Sequence, residues 1–136
     1  MKKMKKIFLF ATGVILLGSA FTSCKKKDKP ETVAQKLQHN WIVVNVITNY
    51  HDASGDNIEN IPGTSADFIN FNANGTVTSH FDGSDDNGTY AVISDTQVSI
   101  NGQTYTIKTI SSTQLVLYAK EGTATQYDEI TINLKR

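Results

Sequence analysis

Apolar residues are spread along this 136-residue chain in two ways. From Ile7 to Leu17 they are almost continuous, broken only by Thr12 and Gly13. From Trp41 onward they recur at every second position, in short runs separated by Asn, Asp, Ser and Gly. A period of two marks a strand that buries one face. Asp67 to Asn72 carries Ile69 and Phe71 on one side, and Thr76 to Asp82 carries Val77, Ser79 and Phe81. Gly88 to Ile93 pairs Tyr90 with Val92, Thr96 to Ile100 pairs Val98 with Ile100, and Gln103 to Ile110 pairs Tyr105 with Ile107. Thr113 to Lys120 carries Leu115 and Leu117, and Gln126 to Arg136 carries Ile130, Ile132, Leu134 and Arg136. Trp41 to Tyr50 differs in having apolar residues on both sides: Trp41, Val43 and Ile47 against Ile42, Val44 and Val46. Such a strand is either covered on both faces or contains a bulge that switches its phase.

Turn chemistry divides these runs. Asn74-Gly75 and Asn101-Gly102 are strong hairpin signals, and Gly83 to Asn87 reads as an acidic turn. Ser94-Asp95, Ser111-Ser112 and Glu121 to Ala124 read as further turns. His51 to Ser65 reads as the longest loop, a lid or binding segment, with Ile58 and Ile61 able to fold onto an apolar mouth. Glu31 to Asn40 is the one helical candidate, with Val33, Ala34 and Leu37 on one face and Thr32 as N-cap. The expected fold is all-β: an antiparallel up-and-down barrel of about eight strands, with a short N-terminal helix plugging one end. Closing the meander hides its two edges. A two-sheet sandwich is the alternative, but it needs longer crossings than these turns provide.

The continuous apolar run has a different meaning. Lys2, Lys3, Lys5 and Lys6 precede it, and Gly18, Ser19 and Ala20 follow. Even extended to Phe21 it is 15 residues long, against roughly 20 for a spanning helix. The order of charge, apolar core and small residues is that of a secretory signal. Phe21-Thr22-Ser23-Cys24 then resembles the lipobox of bacterial lipoproteins, in the variant form seen in the Bacteroidota. That resemblance implies cleavage before Cys24, the chain's only cysteine, and a membrane anchor through acyl chains on it. The expected organisation is therefore signal peptide 1–23, an acylated Cys24 with a polar tether to residue 30, and a folded domain over 31–136. The tether, Lys25-Lys26-Lys27-Asp28-Lys29-Pro30, is basic where surface-exposed lipoproteins of that group carry an acidic signal. This favours an outer-membrane lipoprotein on the periplasmic side over the cell surface.

Charge changes the picture once the chain is divided. The full chain has 13 basic and 13 acidic residues, but residues 31–136 keep 5 and 12 of them, a net of −7 (5 minus 12). A nucleic-acid partner requires a basic patch, and residues 31–136 have none.

Leu37 to Trp41, Phe71-Asn72-Ala73-Asn74-Gly75-Thr76-Val77, Gly88-Thr89-Tyr90-Ala91-Val92 and Leu115-Val116-Leu117 together resemble, in order and spacing, the lipocalin-like domains of Bacteroidota lipoproteins. His39 stands where that family has glycine. The resemblance implies a barrel able to hold one small ligand, with a tryptophan near its closed end under a basic residue of the last strand. Here these are Trp41 and Arg136, the only tryptophan and the only arginine.

Candidate chemistry is sparse. Phe71, Phe81, Tyr90, Tyr105, Tyr118 and Tyr127 either line a pocket for a small apolar or cationic molecule or fill the core. Strand parity puts the loops rich in Asp and Glu at the end away from Trp41, where they could instead meet another envelope protein. Asp52 and Asp56, and Asp82 and Asp86, repeat a spacing that suits calcium. Neither loop has the glycine at position six or the glutamate at position twelve of an EF-hand. His39, His51 and His80 lack zinc-helix spacing. No nucleophile elbow, phosphate loop or catalytic carboxylate pair is present. The chain reads as a non-enzymatic binding or interaction protein without a cofactor.

Overall fold

The computed structural model describes residues 29–136, so the signal-like segment and Cys24 lie outside the described residues. Helix α1 (Val33–Leu37) leads into nine strands: β1 (Asn40–Asp52), β2 (Gly55–Pro62), β3 (Phe68–Phe71), β4 (Thr76–Phe81), β5 (Ser84–Ser94), β6 (Gln97–Ile100), β7 (Gln103–Ile110), β8 (Gln114–Gly122) and β9 (Tyr127–Lys135). All pairings are antiparallel. Strands β3 to β9 follow one another in space, and β1 closes the ring by pairing with both β3 and β9. The result is a closed eight-strand barrel with β2 as an extra strand beside β1.

α1 is short but well capped. Thr32 Oγ1 accepts from the Gln35 N–H at 3.2 Å, and Gln35 Oε1 accepts from the Thr32 N–H at 2.9 Å, a reciprocal capping box. The helix covers the barrel end near Trp41, with Leu37 fully buried against the core. Trp41 is also fully buried, and its Nε1 donates to the Leu37 carbonyl at 3.0 Å. Ile42 pairs with Lys135, so the start of the first strand and the end of the last meet at this end. The core itself is the inner face of the barrel: Val43, Phe71, Val77, Val98, Ile107, Leu115, Leu117 and Leu134 join Leu37 and Trp41.

The two-faced apolar pattern of β1 comes from a bulge. The β1–β9 register shifts between Val43 and Asn45. Val44 is displaced outward and exposed, so Trp41 and Val43 before it and Val46 after it all reach the core side.

Two expected loops are strands. His51 to Ser65 is not one long loop: β1 runs to Asp52, Ala53-Ser54 turn, and β2 returns along β1 from Asp52↔Gly55 to Asn45↔Pro62. Above Ile42, β1 has no β3 partner, and β2 satisfies the backbone groups that would otherwise be open there. Its Asn and Asp are tolerated because the strand is exposed over nearly its whole length. The acidic turn Gly83 to Asn87 contracts to Asp82-Gly83, with φ of 50° and 74°, the two positive values of a type I′ hairpin. Ser84 to Asn87 belong to β5.

β2 and β3 run the same way along one edge of β1, as one stave interrupted at Gly63 to Asp67. At the interruption the chain passes so close to the bulge that a Cβ on Gly63 would lie 2.1 Å from the Val43 carbonyl oxygen. Asp67, the one buried charged or polar residue among those described, holds this crossing. Its Oδ2 accepts from the Thr64 N–H at 2.6 Å and the Thr64 hydroxyl at 2.8 Å, and its Oδ1 accepts from the Asp82 N–H at 3.2 Å.

Candidate functional site at the barrel mouth

Register puts four turns at the end of the barrel opposite α1: Ala53-Ser54, Asp82-Gly83, Asn101-Gly102 and Thr123 to Gln126. Beneath them a cavity of about 260 Å³ opens into the interior. Its apolar lining is Ile69, Val77, Ile100 and Ile132, contributed by β3, β4, β6 and β9. Its polar lining includes Ser79, Gln103, Asn101, Tyr105 and Asp86. Among the described residues Asp86 is the only charged one on the wall. It faces inward because it is paired with Ser79 and lies two residues from Gly88, itself opposite buried Val77.

The residues around Asp86 are held in place. Asn101 Oδ1 accepts from the Thr89 N–H at 3.0 Å, while its Nδ2 donates to Asp86 Oδ2 at 3.4 Å. Gly88 leaves the room this needs, since a Cβ there would meet Asn101 Oδ1 at 1.6 Å. Burial, with the Glu121 carboxylate behind it, pushes the Tyr105 phenol above its ordinary value. The wall therefore offers a neutral phenol and a carboxylate over an apolar floor.

Further acids share the inner face above the cavity. Glu121 follows buried Leu117 and Ala119 at every second position and pairs with Asp128, which in turn pairs with Tyr50. The Tyr50 hydroxyl donates to Glu59 Oε2 at 3.2 Å, and that bond raises the phenol's pKa. No lysine or arginine occupies the inner face at this end among the described residues: Lys108 and Lys120 stand over the outward rings of Tyr118 and Tyr127.

The aromatic candidates divide. Phe71 is buried, with Tyr90 edge-on to it at 5.0 Å between centroids. The Tyr90 hydroxyl donates to the Asn72 carbonyl at 2.9 Å, which uses it in closing the β3–β4 turn. Phe81 packs partly buried against the core, and Tyr105 reaches the cavity wall. Tyr118 and Tyr127 do not line the interior: they alternate with Leu117 and Ala119 and with Ile130 and Ile132, and so project outward. There they join a polar cluster that alternation alone did not bring together. The Tyr118 hydroxyl donates to Glu129 Oε1 at 2.6 Å, His51 Nε2 lies 3.3 Å from Glu129 Oε2, and His51 Nδ1 contacts Asp56. The Tyr127 ring stacks on His51 at 4.1 Å between centroids. The Tyr118 bond, then the His51 contact, hold Glu129 below the ordinary carboxylate range.

The remaining candidates are placed as follows. Arg136 Cζ lies 5.7 Å from the Trp41 ring centroid, and the Arg136 N–H donates to the Thr113 carbonyl at 3.1 Å. The Asp spacing does not become a calcium cage. Asp52 alternates with inward Tyr50 and accepts from the Ser54 N–H and hydroxyl, whereas Asp56 sits on the outer face beside His51. Asp82 is a turn residue and Asp86 faces inward. Among the described residues no three His, Cys, Asp or Glu side chains gather as a metal site would need. His80 contacts Asp85 at 2.7 Å, and His39 lies edge-on to Trp41. No described helix is long and apolar enough to cross a membrane.

A scan against models of known protein families finds no match, and a search of curated proteins finds none either. The reading of this chain therefore rests on its barrel and on the mouth just described.

Proposed function

We propose that this protein is a membrane-tethered binding barrel of the lipocalin-like kind, which takes up a small amphiphilic cation at the mouth opposite Trp41. The observation that carries this reading is Asp86, the single carboxylate among the described residues on the wall of a cavity whose other lining side chains are neutral, some apolar and some polar. A carboxylate beside an apolar floor suits a ligand with one ammonium or guanidinium group and a short hydrocarbon body, since the charge finds a partner while the remainder leaves water. A volume of about 260 Å³ lies just under the usual range for drug-sized ligands, about 300–1,000 Å³, so the molecule must be small. The inward acids Glu59, Glu121 and Asp128 add a negative field above the cavity, which concentrates cations at the mouth. Cys24, carrying acyl chains, supplies the anchor in this reading, and the basic tether runs from it to the α1 end.

Titration calorimetry with short alkylammonium and alkylguanidinium ions tests the proposal. Saturable binding is expected, weakened about tenfold or more by Asp86→Asn, which keeps the shape and removes the charge. Equal binding of the Asn variant, or equal binding of alkyl carboxylates, would exclude it. A second reading, an acidic end that meets another envelope protein, draws on the exposed Asp82, Asp85 and Glu121 around the rim. Cross-linking in cells from Asp85 would then trap one partner reproducibly, and scattered adducts would count against it.

A further inference from the structure

Among the described strands β2 pairs with β1 alone, which leaves the other side of its backbone open there. The Gly63 N–H donates to the Val44 carbonyl at 2.9 Å, and hydrogen bonding alternates along an antiparallel strand. Gly55, Asn57, Glu59 and Ile61 therefore turn their N–H and C=O groups toward β1, and Asp56, Ile58 and Asn60 turn theirs away. Pro62 falls in the outward series, where a residue with no N–H can sit in an edge strand. An open edge is a template for another strand unless lysine, proline or a bulge guards it. Between Asp56 and Asn60 none of these is present. Ile58, at the centre, is the most exposed of the large apolar side chains at 66 %. The neighbouring edge, β8 beyond its last pairing with β7 at Tyr118, is guarded by Lys120.

We propose that a second copy of this chain occupies the β2 edge, antiparallel, with the two-fold axis at Ile58. In that register Ile58 exchanges both backbone bonds with its own copy, and Asp56 exchanges both with Asn60 on either side. The side chains agree with it. Asp56 stands opposite Asn60, and Glu59 opposite Asn57, so every carboxylate meets an amide and none meets another carboxylate. Moving the axis one residue toward Pro62 sets Glu59 against Glu59 and places donorless Pro62 opposite Asp56. Moving it the other way runs the pairing into the Ala53-Ser54 turn. On the outer face, Asn133 Nδ2 donates to Asn45 Oδ1 at 2.9 Å, and Asn45 Nδ2 donates to Asn60 Oδ1 at 2.9 Å. Asn60 Nδ2 is next in line to donate to Asp56 of the other copy, and this continues the amide ladder across the axis. A single pair of strands is a small interface, so the association is weak and depends on concentration.

Light scattering and amide hydrogen exchange of the full chain, from micromolar to millimolar concentration, test this. Mass is expected to rise from one copy to two. The amides of Asp56, Ile58 and Asn60 gain protection with concentration, while those of Asn57 and Glu59 are protected throughout by β1. Ile58→Pro removes an outward N–H without touching the β1 ladder and abolishes the dimer. Ile58→Lys sets two ammonium groups against each other at the axis and weakens the dimer by about tenfold. A single-copy mass over the whole range, or a dimer indifferent to both substitutions, would overturn the proposal. So would protection that does not alternate along β2.

Discussion

Replacing Trp41 by Leu tests whether the closed end is held by the contacts described for it. The ring is fully buried and its N–H bonds the Leu37 carbonyl at 3.0 Å. Leucine is smaller by roughly 60 Å³, which at about 24 cal/mol per Å³ of unfilled cavity costs about 1.5 kcal/mol. Losing the indole N–H donor costs about 1 kcal/mol more. The sum, about 2.5 kcal/mol, lowers the melting temperature by roughly 10 °C for a domain of this size. Arg136 supplies the second half of the test. At 5.7 Å from the ring centroid and exposed to solvent, its cation–π contact is worth about 0.5–1 kcal/mol. Arg136→Ala should cost that amount in the native background and nothing in Trp41→Leu, because the ring it covers is gone. Thermal and urea unfolding followed by circular dichroism measure all four proteins without relying on the lost tryptophan. If Trp41→Leu costs less than about 1 kcal/mol, or Arg136→Ala costs the same in both backgrounds, the reasoning about this end is wrong.

Two other outcomes follow from the crossing between β2 and β3. The Asp67 carboxyl is held below its ordinary value chiefly by the Thr64 N–H and hydroxyl. A depressed carboxylate contributes stability that is present above its unfolded value, about 3.9, and is lost as pH falls through the lower folded value. Urea midpoints measured from neutral pH downward should therefore fall in acid for the native protein, and less steeply for Asp67→Asn; parallel profiles would remove Asp67 from that role. Gly63→Ala drives a methyl group into the Val43 carbonyl and should cost about 1–3 kcal/mol as overpacking, read as a lower urea midpoint with an unchanged slope; an unchanged midpoint would mean that the chain passes β1 at a greater distance.

The barrel was legible where alternation and turn chemistry agree. Val77, Val98, Leu115, Leu117 and Leu134 fall on the inner face because a period of two leaves no choice once one face must be buried. β1 was legible only as a pair of alternatives, since a bulge at Val44 leaves the same apolar residues in the sequence as full coverage would. β2 looks like a loop in sequence because Asp56, Asn57, Glu59 and Asn60 are poor strand formers. It is a strand because β1 extends past β3 and needs a neighbour, a demand set by distant parts of the chain. Tyr118 and Tyr127 suggest an interior place by chemical type, but Leu117, Ile130 and Ile132 next to them already claim that side. Asp86 was visible as an acid in a loop. Its place on the cavity wall depends on pairing with Ser79, which becomes clear only when Asp82-Gly83 is taken as the whole turn.

The closure of the barrel through β1 and β9 also has a consequence in time. Ile42 finds Lys135, and His51 finds Tyr127, across nearly the entire domain. A ribosome delivers β1 long before β9, so this pairing waits until β9 has emerged. Until then β1 has only hairpin and short-strand neighbours, the core has a missing wall, and long-range pairings of this kind form slowly. Until β9 emerges the molecule is a row of hairpins, and it becomes a barrel only with that strand.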